Sequence, residues 1–182
     1  GVRHVEVLKN RFPNSMFATI AFNAYRTSSI AAVAVGGAVG LSAFAPKNKA
    51  LEEVNKILKR KISVSLIEDP MDAAHCKLVL NLGNALLTMV GFHENRTRDI
   101  GIVHKIYSEM MWEGVQVLKK GGVKEARISG MPPWILLWLS RMLPSKLILP
   151  MFEKKMQAST INSMAQDLQN QLGQTEFEDI NG

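Results

Sequence analysis

The feature that most constrains the fold is a change of period at Pro70. Before it, "MFATIAFNAYRT", "SIAAVAVGGAVGLSAFA" and "ISVSLIED" read as strands, rich in β-branched residues or alternating. Two amphipathic helices flank them, "VRHVEVLKNRF", stopped by Pro13, and "NKALEEVNKILKRK", with Leu51, Val54, Ile57 and Leu58 on one side. After Pro70 every periodic segment is helical: Met71 to Gly91, Ile100 to Lys120 and Met151 to Leu172, with a Pro- and Trp-containing stretch before the last. Such a chain folds as α+β, with strands in residues 1–70 and an all-α part in 71–182.

Local signals refine this outline. The Gly36-Gly37 pair between "IAAVAV" and "AVGLSAF" suits two strands joined by a tight turn. In the helix from Ile100, the residues Val103, Ile106, Tyr107, Met110, Val117 and Leu118 form the apolar face, and Gly121-Gly122 caps its C-terminus.

With 182 residues, 47% hydrophobic and 21% charged, the chain can bury one large or two small cores. The single cysteine, Cys76, excludes an internal disulfide framework and fits a reducing, cytoplasmic setting, with the residue as a small buried apolar group. A net charge of +6 admits an anionic partner. The basic runs, such as Lys56/Lys59/Arg60/Lys61, lack interleaved aromatics and read as solvated helix faces, so no nucleic acid partner is expected. No membrane partner is expected either. "SSIAAVAVGGAVGLSAFAP" is short and weakly apolar, and "MPPWILLWLSRMLPSKLILPMF" is interrupted by four prolines, Arg141 and Lys146. The second stretch reads as buried packing, a lid or a partner surface.

Most catalytic signatures are missing. The histidines, His4, His75, His93 and His104, have no metal-ligand spacing, and "HENRT" places Thr97 where a zinc helix needs histidine. "GGAVG" lacks the G-x-G-x-x-G spacing of a dinucleotide loop. What stands out is "CKLVLNLGNALLTMVG". At about 100° per residue, Lys77, Asn81, Asn84 and Thr88 fall within an arc of roughly 60° on an otherwise apolar helix. That is the mark of a buried helix with one wet or functional face. A second polar set, Ser163, Gln166, Asp167 and Asn170, lies near the C-terminus. It is followed by Gly173 and by Thr175-x-x-Glu178, which has the form of a capping box.

These segments resemble the ketopantoate reductases (2-dehydropantoate 2-reductases). "CKLVLNLGNALLTMVG" is similar to that family's K-x-x-x-N-x-x-x-N helix, and "SMAQDLQNQLGQTEFEDING" to its S-M-x-Q-D…T-E-I-D-x-I-N-G signature. "EGVQVLKKGGV" resembles the helix between them. The resemblance implies the last strands of a Rossmann-like domain in 1–70, then a helical domain of the 6-phosphogluconate dehydrogenase C-terminal type in 71–182. It implies a fragment of a longer chain, whose nucleotide-binding glycine loop lies upstream. It further implies NADPH as cofactor and a small 2-keto acid, ketopantoate, as substrate. By the same resemblance Lys77 is the catalytic residue, Asn81, Asn84 and Ser163 bind substrate, and Glu176 binds the cofactor. Ala85 stands where the family has its second asparagine, with Asn84 one residue earlier. His75 replaces an aromatic residue, and one extra residue separates Ser163 from Glu176.

Two alternatives remain open. One is a helical dimerisation or interaction domain without catalysis, with Trp134 and Trp138 in its surface and a homodimer as its product. The other is a related dehydrogenase for a bulkier keto or hydroxy acid.

Overall fold

A computed structural model describes residues 2–21, 23–26, 32–35, 37–45, 49–92, 97–158 and 164–165. In chain order the elements are α1 (Val2–Arg11), β1 (Met16–Ile20), β2 (Asn23–Arg26), β3 (Ala32–Val35), β4 (Val39–Ala43), α2 (Lys49–Leu58), β5 (Val64–Leu66), α3 (Pro70–Met89), α4 (Ile100–Lys120), α5 (Trp134–Met142) and α6 (Ser145–Ala158). The chain is α+β, and it divides into two compact units that alternate in sequence. One comprises Gly1–Leu78 with Leu118–Pro133, the other Val79–Val117 with Trp134–Gly182. Among the described residues no helix is long and apolar enough to cross a membrane.

In the first unit, β4 is the middle strand of a three-stranded sheet ordered β1-β4-β5, antiparallel to β1 and parallel to β5. Val39 to Ser42 are all buried, as a strand flanked on both sides demands. The Gly36-Gly37 pair is not a turn joining two paired strands: β3 pairs with β2, and β4 with β1. Ile20 faces Val39 but Asn23 faces Val35, so the return arm carries one residue more than the outgoing arm at this point. Gly37 takes a left-handed conformation there (φ 79°), which a side chain would resist.

The segment after α4 returns to this sheet. Gly122 (φ 78°) ends α4 as a C-cap, its N–H donating to Lys119 O at 3.1 Å while Val123 N–H donates to Leu118 O at 3.0 Å. Ile128 then lies so close to Gly40 that a Cβ there would sit 2.4 Å from Ile128 Cδ1. Gly130 (φ 96°) meets the sheet backbone: a Cβ on it would be 2.6 Å from Gly37 Cα and 2.8 Å from Ala21 O. Around these contacts Ala38, Ala73 and Ile128 form a buried core, with Ile67, Ala126 and Met131 packed on it.

The second unit is helical. Gly83 of α3 faces Tyr107 and Met111 of α4, and Gly114 of α4 faces Val79 and Leu82 of α3, so the two helices run antiparallel in close contact. The buried side of α4 is only in part the one its apolar residues suggest, since Val103 and Leu118 are buried and Tyr107 packs on the core. Ile106 and Val117 are exposed, whereas His104, Ser108, Met111 and Val115 are buried. A ring cluster closes this core. Phe152 of α6 makes edge contacts with His104 at 5.0 Å, Tyr107 at 5.4 Å and Phe92 at 6.3 Å between centroids. α6 also starts earlier than its period suggests, at Ser145, and carries Pro150 inside it. The expected continuation to Leu172 lies outside the described residues, apart from helical Met164 and Ala165.

Candidate functional site

Helix α3 is fixed at its start by the chemistry of its first residues. Asp69 precedes Pro70 at the first helical position, and its Oδ1 accepts from Met71 N at 2.8 Å. One turn on, Asp72 Oδ1 accepts from Lys124 N at 3.0 Å. The buried Cys76 then grips the same return segment, donating from Sγ to Lys124 O at 3.6 Å and accepting from Ala126 N at 3.4 Å. These contacts hold the helix immediately before Lys77. His75 Nδ1, at 2.8 Å from Met71 O, is bound back along its own helix.

The stripe is continuous along α3. Lys77, Asn81, Asn84 and Thr88 are all half-buried, and no residue from Pro70 to Thr88 is exposed. Thr88 Oγ1 donates to Asn84 O at 2.8 Å, the back-bonding habit of a threonine inside a helix. Gly83, the point of closest approach to α4, lies about 130° around the helix from the stripe. The polar side chains are therefore turned away from the α3–α4 seam. With a rise of about 1.5 Å per residue, Lys77 and Asn81 are about 6 Å apart along the axis, and the whole row spans about 16 Å. One ammonium followed by two amides, partly shielded from water, is a row of donors for a small oxygen-rich anion, while the Thr88 hydroxyl donates its proton to Asn84 O.

Ala85, where the family has an asparagine, is buried, while Asn84 is half-buried on the stripe. Ser163 and Glu176, the two remaining sequence candidates, lie outside the described residues.

Sequence reasoning missed a second polar feature. His104, buried on α4, shares a hydrogen bond with Ser140 of α5, Nε2 and Oγ being 3.0 Å apart. Burial lowers its pKa from the ordinary 6.5. Burial also pushes the Tyr107 phenol up to about 12, so the ring beside Gly83 keeps its proton throughout the physiological range. The signal was present in the spacing: His104, Ser108, Met111, Val115 and Leu118 recur at i, i+4, i+7, i+11 and i+14. Two polar residues in that row concealed it.

No curated protein and no solved structure matched the chain. A family model did, that of the ketopantoate reductase PanE/ApbA C terminal, over residues 69–182. The match begins at the cap of α3 and takes in the whole stripe, so the chain belongs to the ketopantoate reductase family.

Proposed function

We propose that this chain is the C-terminal portion of an NADPH-dependent reductase of 2-keto acids, acting on ketopantoate to give pantoate in the cytoplasm. The observation that carries the reading is the half-buried row Lys77, Asn81, Asn84 and Thr88 on a helix that the family match covers from end to end. In this proposal residues 1–70 are the final strands of a Rossmann-like domain, which the parallel pairing of β4 with β5 supports, and the helical part is of the 6-phosphogluconate dehydrogenase C-terminal type.

Reduction of the ketone requires a group that stabilises negative charge on the carbonyl oxygen and then delivers a proton to it. Lys77 has that role. Its ammonium donates to the ketone oxygen, holds the developing alkoxide, and transfers a proton to it as the C=O becomes C–OH. The resulting amine regains its proton from water. NADPH, when bound, supplies the hydride to the carbonyl carbon. Its phosphates do not fit at Gly37 or Gly40, because Gly37 is closed against Gly130 and Gly40 against Ile128. Asn81 and Asn84 orient the substrate by amide hydrogen bonds, Asn84 serving for the asparagine replaced by Ala85. Ser163 meets the substrate carboxylate, and Glu176 the cofactor ribose.

The test is NADPH consumption by the full-length gene product with ketopantoate, beside Lys77→Ala. Turnover that collapses in the variant while NADPH still binds is the expected result. Equal turnover in both proteins removes Lys77 from the chemistry, and absence of NADPH binding overturns the reductase reading.

A further inference from the structure

In the second unit, α5 and α6 turn large apolar side chains outward. Ile135 (58% exposed), Leu136, Trp138, Met142, Leu147 (63%) and Met151 (70%) all face solvent. Pro144 and Pro150 are exposed among them. Burial of Leu137 and Phe152 shows that these helices already have an inner side, so the outer side is a second apolar surface. Among the described residues, the exposed charges that α5 and α6 themselves carry are of one sign. Arg141, Lys146 and Lys154 are exposed, whereas the one acid in residues 134–154, Glu153, is half-buried. Arg141 Nε is held by Glu109 Oε2 at 2.6 Å, which leaves Lys146 and Lys154 as the outward cations among the described side chains of α5 and α6.

We propose that the outer face of α5 and α6 docks on an anionic phospholipid bilayer, lying in the headgroup region and not crossing it. Three observations favour this occupant. Exposed apolar side chains with a tryptophan on α5 and lysines on α6 match surface-lying helices, whose lysines reach out to the headgroups along their apolar stems. A second copy of this chain would set this cationic face against another of the same sign across a two-fold axis, and lysine is depleted in protein interfaces. An anionic lipid surface is attracted by the same charges, each lysine adding to the affinity. The sequence excluded a membrane partner because no segment could span, but adsorption requires no span. This inference is independent of the reductase reading.

The experiment is co-sedimentation of the full chain with vesicles of phosphatidylcholine alone and of phosphatidylcholine mixed with phosphatidylglycerol. Binding is expected to the mixed vesicles only, to weaken at high salt, and to fall at least about tenfold in Lys146→Glu/Lys154→Glu. Leu147→Asp/Met151→Asp should also abolish it. These side chains are exposed, and wild-type salt dependence provides a readout independent of the variants. No sedimentation with either vesicle overturns the proposal, as does equal binding to both that ignores the lysine changes. A dimer by light scattering that Leu147→Asp/Met151→Asp dissolves, without vesicle binding, assigns the face to a second copy and overturns it too.

Discussion

Helices α3 and α5 handle polarity in opposite ways. Along α3 a lysine, two asparagines and a threonine are kept half under cover, and nothing before Met89 is exposed. On α5 and its successor α6, isoleucine, leucines, tryptophan and methionines face water. A helix that shields polar groups bears a desolvation cost, and one that exposes apolar groups forgoes the gain of burying them. Each departs from the arrangement that best serves stability alone, and each departure coincides with a proposed role. The inner polar row suits chemistry, and the outer apolar row suits contact.

The comparison breaks most readily at Lys77. Lys77→Ala should lower turnover by about 10²–10⁴-fold, the usual contribution of a positioned proton donor, with a near-normal denaturation midpoint. Stopped-flow turnover and a urea curve on the same preparation check both halves. If the midpoint collapses with the rate, the row is structural.

Next comes the opposite side of α3. Gly83→Val puts atoms where Tyr107 and Met111 already lie, since even a Cβ would be 2.3 Å from the Tyr107 ring. It should cost about 3 kcal/mol in urea denaturation. A near-neutral result would mean that the α3–α4 seam is looser than the glycine implies.

A smaller effect concerns the fastening of α5 to α4 through His104 and Ser140. His104 has a lowered pKa in the folded state, so below about 6.5 the unfolded chain binds more protons than the folded one. The stability is complete above that pH and is lost as the pH falls from it towards the folded value. His104→Gln, which keeps a hydrogen-bonding group beside Ser140, should flatten the acid side of the urea midpoint plotted against pH. An unaltered slope would assign it to other groups.

The smallest effect belongs to the outer face. Leu147→Asp should change stability by no more than about 0.5 kcal/mol, because the side chain is 63% exposed. A loss of several kcal/mol would show that the face is already covered in solution.

Much of this was legible in the sequence. α4 spans Ile100–Lys120 as its period and caps indicate, and Asp99, whose Oδ1 accepts from Ile102 N at 3.0 Å, starts it as Asp69 starts α3. The polar stripe was legible because helical spacing converts directly into a direction around the axis. What escaped were features decided by partners distant in sequence. Ile106 and Val117 were assigned to the apolar face of α4, but the neighbours of α4 select the His104–Leu118 row, and His104 is acceptable there because Ser140 meets it. Pro150 suggested a break, yet tertiary packing of Phe152 retains the helix around it despite the lost backbone donor. The Gly36-Gly37 pair looked like a turn because the contact that Gly37 makes, with Gly130, is far along the chain.

That last contact bears on the order in which the molecule can be made. The strands of the first unit leave the ribosome early, but the segment that closes over Gly37 and Gly40 follows only after α3 and all of α4 have been synthesised. Until Gly130 emerges, Ala73 and Ile67 can pack on Ala38, but Gly37 and Gly40 lack the segment that closes over them, and exposed sheet of this kind is prone to aggregation. A message truncated between Lys120 and Gly130 would therefore yield a chain with every described strand of the first unit present and the closing segment over Gly37 and Gly40 missing.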